Sequence, residues 1–152
     1  MKIFVDADSC PRVVRELVMR AARKRRIEAV FVANRRIPGI EGDHAAMEVC
    51  PSREGAADDR IVELACQGDL VITRDIPLAV RLVERGIVVL DDRGRIYTGE
   101  NIRQQLSMRN FMLVLAGSGL GIERVAHYGK KELKTFADNF DRIVTISLKG
   151  TL

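Results

Sequence analysis

The sequence predicts a three-layer α/β fold, in which helices cover both faces of a mainly parallel central sheet. Short apolar runs rich in β-branched residues are typical of strands that are buried on both faces of such a sheet. Between these runs, apolar residues recur at intervals of three and four, the spacing of a helix that buries one face. The predicted strands lie at residues 3–6, 29–33, 69–75 and 86–90, and the last third of the chain is predicted to be mostly helical.

The first predicted strand and helix are the most informative part of the chain. The apolar run ends in Asp6, Asp8 follows, and Pro11 then opens a helical pattern that extends to about residue 26. Proline is common in the first turn of a helix, where a backbone N–H has no partner. In open α/β sheets, ligands bind at this carboxyl edge of the strands. A helix cap explains one of the two acids but not both.

The middle of the chain continues the alternation of strands and helices. The buried strand at 29–33 is followed by Asn34, and a short strand is predicted at 47–49. A helix should begin near residue 55 and stop at Gly68. This part of the chain therefore adds two strands to the sheet and one helix to the fold.

The next unit repeats the opening arrangement of strand, acid, proline and helix. The strand at 69–75 ends in Asp75, and a helix with apolar residues over 78–83 follows. The strand at 86–90 should then form a hairpin through residues 91–97.

The last third is predicted to contain two helices. The first runs from about residue 100 to 116, and a glycine-rich flexible connection follows at 117–121. The second covers about 131–140, and residues 143–148 form either its extension or a terminal strand. The inward stripe of the first helix is predicted to be Met108, Phe111, Met112 and Leu115.

Composition limits the class of protein. At 152 residues the chain is long enough for one domain with a buried core. Cys10, Cys50 and Cys66 form no CxxC pair, so we expect neither a disulfide framework nor a zinc site, and a reducing cytoplasm fits. We expect no signal peptide, and no apolar run approaches the ~20 residues of a membrane helix. The net charge of +4 is compatible with a polyanionic partner but does not require one.

Acids from three separate segments are predicted to meet at one edge of the sheet. They are Asp6 and Asp8, Asp58 and Asp59, and Asp75. Clustered carboxylates repel each other and raise each other's pKa, and a divalent cation relieves this repulsion. Mg²⁺ prefers oxygen ligands and binds one or two carboxylates directly. The sequence therefore predicts a Mg²⁺ or Mn²⁺ site suited to phosphodiester hydrolysis, in which the metal lowers the pKa of a bound water.

The predicted site residues fall into three groups. We expect Asp6 and Asp75 to bind the metal directly. The remaining acids, Asp8, Asp58 and Asp59, would hold metal-bound water or a second ion, although acids in the first turn of a helix also complement its dipole. Supporting contacts to the ligands or to phosphate are expected from Ser9, Asn34, Thr73 and Arg74.

Four motifs resemble those of the uncharacterised bacterial YaiI/YqxD family. They are VDADSCP at 5–11, GAADD at 55–59, VITRDIPLA at 71–79 and YTGENI at 97–102. That family is regarded as PIN-like, a superfamily with a Rossmann-like sheet that includes metal-dependent ribonucleases. The resemblance implies a single PIN-like domain over residues 1–152 and a nucleic-acid substrate, most simply RNA.

The resemblance also implies which acids correspond to the superfamily's own. Asp6 matches the acid that ends the first strand, Asp58 or Asp59 the acid of the central helix region, and Asp75 the acid of a Thr-x-Asp segment. The resemblance extends to Gly119. Beyond it, relatives usually carry a Gly-Gly-Pro-Pro-like loop, which residues 122–128 replace here.

Two other functions remain open. The spacing of Asp6 and Asp8 is similar to that of haloacid-dehalogenase-type phosphatases, in which they would be nucleophile and general acid. Asp91 and Asp92, interpreted here mainly as turn residues, would then hold Mg²⁺. Alternatively, the chain is a non-catalytic RNA-binding or interaction domain with a basic face. That face would consist of Arg12, Arg15, Arg35, Arg36 and Arg74.

Overall fold

Helices cover both faces of a six-stranded sheet in the computed structural model, which describes residues 1–119 and 127–150. The strands are β1 (Ile3–Asp6), β2 (Ala29–Ala33), β3 (Ala45–Val49), β4 (Leu70–Ile72), β5 (Val88–Leu90) and β6 (Ile96–Tyr97). The helices are α1 (Arg12–Arg25), α2 (Ala56–Leu64), α3 (Ile76–Val83), α4 (Asn101–Gly117) and α5 (Lys130–Leu148). The predicted three-layer α/β fold is confirmed.

The strand order places the carboxyl ends of β1 and β4 next to each other. From β1 the chain adds β2 and β3 on one side, and it returns to add β4, β5 and β6 on the other. All neighbouring strands are parallel, except that β6 runs antiparallel to β5 as the predicted hairpin requires. The direction of winding therefore reverses between β1 and β4. Such a switch point forms a crevice at the carboxyl ends of the strands, where ligands bind in open α/β sheets.

Both faces of the sheet are buried because residues along each strand alternate between two cores. On one face, Ile3 and Val5 of β1 pack with α1 and with Phe136 of α5. On the other face, Phe4 packs with residues of α2, α3 and the first turn of α4. The central strands thus have no solvent-facing side, which explains why they form continuous apolar runs in the sequence.

Several element boundaries differ from the sequence-based prediction. Strand β4 covers only the start of the segment predicted at 69–75, because the chain leaves the sheet there and Asp75 becomes the N-cap of α3. The segment 143–148 continues α5 as a helix, so it is the predicted helix extension and not the terminal strand. Residues 120–126, which include the last two residues of the glycine-rich connection and most of the segment that departs from the family pattern, lie outside the described residues.

The apolar stripe of α4 is exposed, so the prediction that it faces the core is wrong. Met108, Phe111 and Met112 are about half exposed, and Leu115 is only partly buried. The helix packs on α3 through its first turns, where Ile102 is buried. Helical spacing of apolar residues shows that they share one face. It does not show that another element reaches that face.

The part of the chain that the structure describes contains no helix that is both long enough and apolar enough to cross a membrane.

The contrasting burial of two phenylalanines tests the placement of α4 and α5. Phe136 is fully buried and stacks on Phe140 with ring centroids 5.4 Å apart, whereas Phe111 is 58% exposed. We expect Phe136→Ala to lower the free energy of unfolding by about 3–5 kcal/mol. Phe111→Ala, the matched control, should change it by less than about 1 kcal/mol. Guanidinium unfolding followed by circular dichroism measures both, and equal losses would contradict the exposed position of α4.

Candidate active site

A cleft of about 570 Å³ opens at the carboxyl ends of β1 and β4. Seven residues predicted from the sequence line it: Asp6, Asp8, Ser9, Asn34, Asp58, Arg74 and Asp75. Two charged residues that the sequence analysis did not select, Glu54 and Arg109, also line it. Acids that end β1, begin α2 and cap α3 therefore face one space.

Asp6 is the most buried of these acids. It ends β1, is 8% exposed, and its Oδ2 accepts hydrogen bonds from the hydroxyls of Thr73 at 2.8 Å and Ser9 at 3.4 Å. Loss of solvent raises the pKa of the Asp6 carboxyl. The Thr73 hydrogen bond opposes this shift, and repulsion from Asp75 and Asp8 adds to it. The carboxylate is thus held in one orientation, in surroundings that disfavour its charge.

Thr73 connects Asp6 to Asp75. Its Oγ1 donates to Asp6 and accepts a hydrogen bond from the backbone N–H of Asp75 at 3.0 Å. The Oδ1 of Asp75 in turn accepts from the backbone N–H of Leu78 at 2.9 Å, which caps α3. Aspartate is a favoured N-cap because it satisfies an N–H that has no partner within the helix. The Thr-x-Asp segment thus positions both carboxylates through direct hydrogen bonds.

Asp8 and Asn34 connect the loop after β1 to the end of β2. The exposed Asp8 accepts a hydrogen bond through Oδ2 from the backbone N–H of Asn34 at 2.8 Å. The side-chain Oδ1 of Asn34 is buried and accepts no hydrogen bond from the described residues. A buried acceptor without a donor is unfavourable.

The neighbours Asp58 and Asp59 lie in different environments. Asp58 lines the cleft, and burial together with repulsion from Asp75 raises its pKa to about 6. Asp59 is exposed and is not among the residues that line the cleft. Its carboxylate pairs with Arg81 at 3.0 Å and Arg53 at 3.5 Å, and the Arg81 hydrogen bond lowers its pKa. The structure brings Asp58 to the other acids but does not bring Asp59.

Arg74 lines the cleft and forms an ion pair with Asp92, a partner that the sequence analysis missed. Asp92 is 4% exposed, so its charge requires a close counter-ion. Asp91, by contrast, makes the predicted turn, since its Oδ1 accepts from the backbone N–H groups of Arg93 and Arg95. One signal was present in the sequence. Asp92 follows β5, the neighbour of β4, at the same edge of the sheet.

Asp6, Asp58 and Asp75, called the acid group below, offer the oxygen ligands that a hard divalent cation prefers. Asp6, Asp58 and Asp75 form no ion pair with any Lys or Arg among the described residues. Across residues 1–119 and 127–150, no three His, Cys, Asp or Glu side chains are already gathered as a ligand set. Mg²⁺ needs only one or two carboxylates and completes its shell with water. The oxygen donors of the cleft fit such an ion on that basis.

Comparison with known proteins confirms the family inferred from the motifs. The model of the family described as "Uncharacterized BCR, YaiI/YqxD family" matches residues 4–146. The chain is 46% identical over 149 residues to the UPF0178 protein of Treponema denticola, covering 98% of this chain and 95% of that protein. It is 49% identical over 142 residues to that of Treponema pallidum, covering 93% and 80%. No solved structure gives a significant match. These names state no activity, and the PIN-like relationship stays a prediction.

The hydroxyl of Thr73 is predicted to stabilise the ionised form of Asp6. Thr73→Val keeps the shape of the side chain but leaves the buried carboxylate without its closest donor. We expect the free energy of unfolding to fall by about 1–3 kcal/mol at pH 7. The loss should be smaller at pH 5, because the pKa of Asp6 rises further and protonation removes the buried charge. Thr73→Ser retains the hydroxyl and should show a loss that does not depend on pH. Guanidinium unfolding in EDTA measures both, and identical pH profiles would contradict the role of the hydroxyl.

The opposite pKa shifts of Asp58 and Asp59 predict opposite effects of removing each charge. The folded-state pKa of Asp58 is about 6 against an ordinary 3.8, so its ionised form destabilises the protein fully above pH 6 and not below pH 4. Asp58→Asn should therefore be more stable than the wild type at pH 7, by about 1 kcal/mol after allowance for solvent screening. It should lose that advantage at pH 4.

Asp59→Asn is the control for this experiment. Its pKa is lowered, so the ionised carboxylate contributes stability that is present above its ordinary pKa and lost as the pH falls. The variant should be less stable than the wild type at pH 7. Thermal unfolding in EDTA at pH 7 and pH 4 compares the three proteins. A shift of both variants in the same direction at pH 7 would show that the two acids share one environment.

Proposed function

We propose that this chain, which belongs to the uncharacterised bacterial YaiI/YqxD family, is a metal-dependent nuclease that hydrolyses phosphodiester bonds, with RNA as its substrate. The observation that carries the proposal is the position of Asp6, Asp58 and Asp75. They come from three separate segments, face one cleft at the switch point of the sheet, and form no ion pair with a described Lys or Arg side chain. Acids that only cap helices have no reason to converge in this way.

The proposed metal ligands are the carboxylates of Asp6 and Asp75. When bound, Mg²⁺ or Mn²⁺ would neutralise the acids, lower the pKa of a coordinated water and stabilise charge on the phosphate oxygens. Thr73 orients Asp6, and the cap of α3 orients Asp75 through one of its two oxygens. Both ligands would thus be held in place before any cation binds, which lowers the entropy lost on binding.

Asp58 is proposed as the group that moves a proton. Its pKa of about 6 lies closer to neutral pH than that of an ordinary carboxyl, which favours general acid–base catalysis. The Asp58 carboxylate would accept a proton from the attacking water. Asp8 and Asn34, tied to each other at the edge of the cleft, would contact water or substrate there.

The two alternative functions have weaker support. The phosphatase mechanism requires acids after β5 to hold Mg²⁺, but the Asp91 carboxylate is engaged in the hairpin and Asp92 is paired with Arg74. A non-catalytic protein would gain nothing from three converging acids that form no ion pair within residues 1–119 and 127–150. We also propose a cytoplasmic location, in which the free thiols of Cys10, Cys50 and Cys66 would stay reduced.

Metal binding and hydrolysis should depend on the same carboxylates. Calorimetric titration of Mn²⁺ should show saturable binding to the wild type and none to Asp75→Asn. Asparagine is itself a good N-cap, so this variant should retain α3. A single-stranded RNA of mixed sequence should be cleaved in Mn²⁺ or Mg²⁺ but not in EDTA. We expect Asp6→Asn and Asp75→Asn to reduce cleavage by at least about 100-fold, because each removes a charged metal ligand.

Glu63→Gln is the matched control for this experiment, because Glu63 is an exposed acid of α2 that pairs with Arg60. It should bind Mn²⁺ and cleave RNA as the wild type does. Cleavage at equal rates by all variants, purified identically, would identify a contaminating nuclease and contradict the proposal. Mn²⁺ binding without cleavage of RNA or DNA would retain the metal site and reject the nuclease.

A further inference from the structure

We propose that Arg109 is an anion-binding residue of the cleft, which holds a phosphate of the nucleic-acid strand next to the phosphate that is hydrolysed. This inference rests on the proposed nuclease function. It extends that function by specifying the ligand as a strand with more than one phosphate. It also gives a role to α4, the helix whose position the sequence did not predict.

The phase of α4 directs Arg109 towards the cleft. Ile102 is buried against the body of the protein, and Gln105 and Leu106 are partly buried on the same side of the helix. Arg109 follows Leu106 by three residues and Ile102 by seven, so it lies on that side one turn farther along. There it lines the cleft beside the acids.

Arg109 differs from the other basic residue of the cleft in its contacts. Arg74 is occupied by Asp92, whereas Arg109 forms no ion pair within residues 1–119 and 127–150. Its hydrogen bond to a described side chain is a long one, 3.4 Å to Oδ1 of the adjacent Asn110. The guanidinium thus remains able to bind an anion that enters the cleft. A guanidinium binds phosphate through two parallel hydrogen bonds and stays charged at all relevant pH values.

The size and charge of the cleft indicate what this anion belongs to. The cleft of about 570 Å³ is lined both by the acids and by Arg109, so a ligand that occupies it meets charges of both signs. The acids Asp6, Asp58 and Asp75 repel phosphate unless a cation is bound. Arg109 attracts phosphate whether or not a cation is present. Binding of a strand should therefore have a cation-dependent part at the acids and a cation-independent part at Arg109.

The test measures binding of a fluorescein-labelled single-stranded RNA to the full chain in EDTA, where hydrolysis cannot occur. Fluorescence anisotropy is recorded at several salt concentrations for the wild type, Arg109→Ala and Arg103→Ala. Arg103 is an exposed arginine of the same helix that does not line the cleft, so it is the matched control. For Arg109→Ala we expect binding about tenfold weaker. The plot of the logarithm of the association constant against the logarithm of the salt concentration has a negative slope. We expect this slope to become less steep by about 0.7, the value for one lost phosphate contact on a single strand.

Three binding results would overturn the inference. They are no measurable binding by the wild type, equal binding by the wild type and Arg109→Ala, and equal weakening in Arg109→Ala and Arg103→Ala. Because the Arg109 side chain is exposed to solvent, loss of folding is not expected in Arg109→Ala, and circular dichroism checks it. The outcome is separable from the nuclease assay. Cleavage that is insensitive to Arg109 would reject this inference alone, and Arg109-dependent binding without cleavage would reject the nuclease alone.

Discussion

The burial of Asp6 at the end of the central strand is the constraint on which the rest of the candidate site depends. A buried carboxylate requires close donors or a counter-ion. The chain meets this requirement for its other buried acids. Asp92 has the guanidinium of Arg74, and Asp91 has two backbone N–H groups. Asp6 has one close donor, the Thr73 hydroxyl, and two further acids nearby. Asp6 therefore lacks the counter-ion that Asp92 has, although Arg74 and Arg109 line the same cleft.

The topology of the sheet explains why these acids are neighbours although they are far apart in sequence. The winding reverses between β1 and β4, so the last residue of one strand and the first residues after the other lie side by side. Because β4 is only three residues long, the chain leaves the sheet at Thr73 and caps α3 with Asp75 two residues later. The same turn closes the strand, begins the helix and places two acids. A longer strand would carry Asp75 away from Asp6.

The sequence predicted what depends on neighbouring residues and missed what depends on distant ones. Buried strands, the hairpin and the position of Asp6 at the end of β1 follow from local patterns and are confirmed, whereas Asp75 lies beyond the end of β4 as the N-cap of α3. The pairing of Asp92 with Arg74 joins separate loops and has no local signature. The exposed stripe of α4 was misassigned because spacing defines a face but not its partner. The difference between Asp58 and Asp59 was accessible, since Asp58 lies three residues before the buried Ile61 and shares its side of α2.

The acid group relates the stability of the fold to its proposed ligand. Repulsion among Asp6, Asp58 and Asp75 destabilises the free protein at neutral pH, and either a proton or a divalent cation removes it. With a pKa of about 6, Asp58 is mostly ionised at pH 7, so protons relieve only part of the repulsion there. A cation that binds at this pH removes the repulsion that protonation has not removed, and it is also attracted to the carboxylates directly. The unpaired acids therefore raise the affinity for a cation, which an arginine in the cleft close enough to neutralise them would abolish.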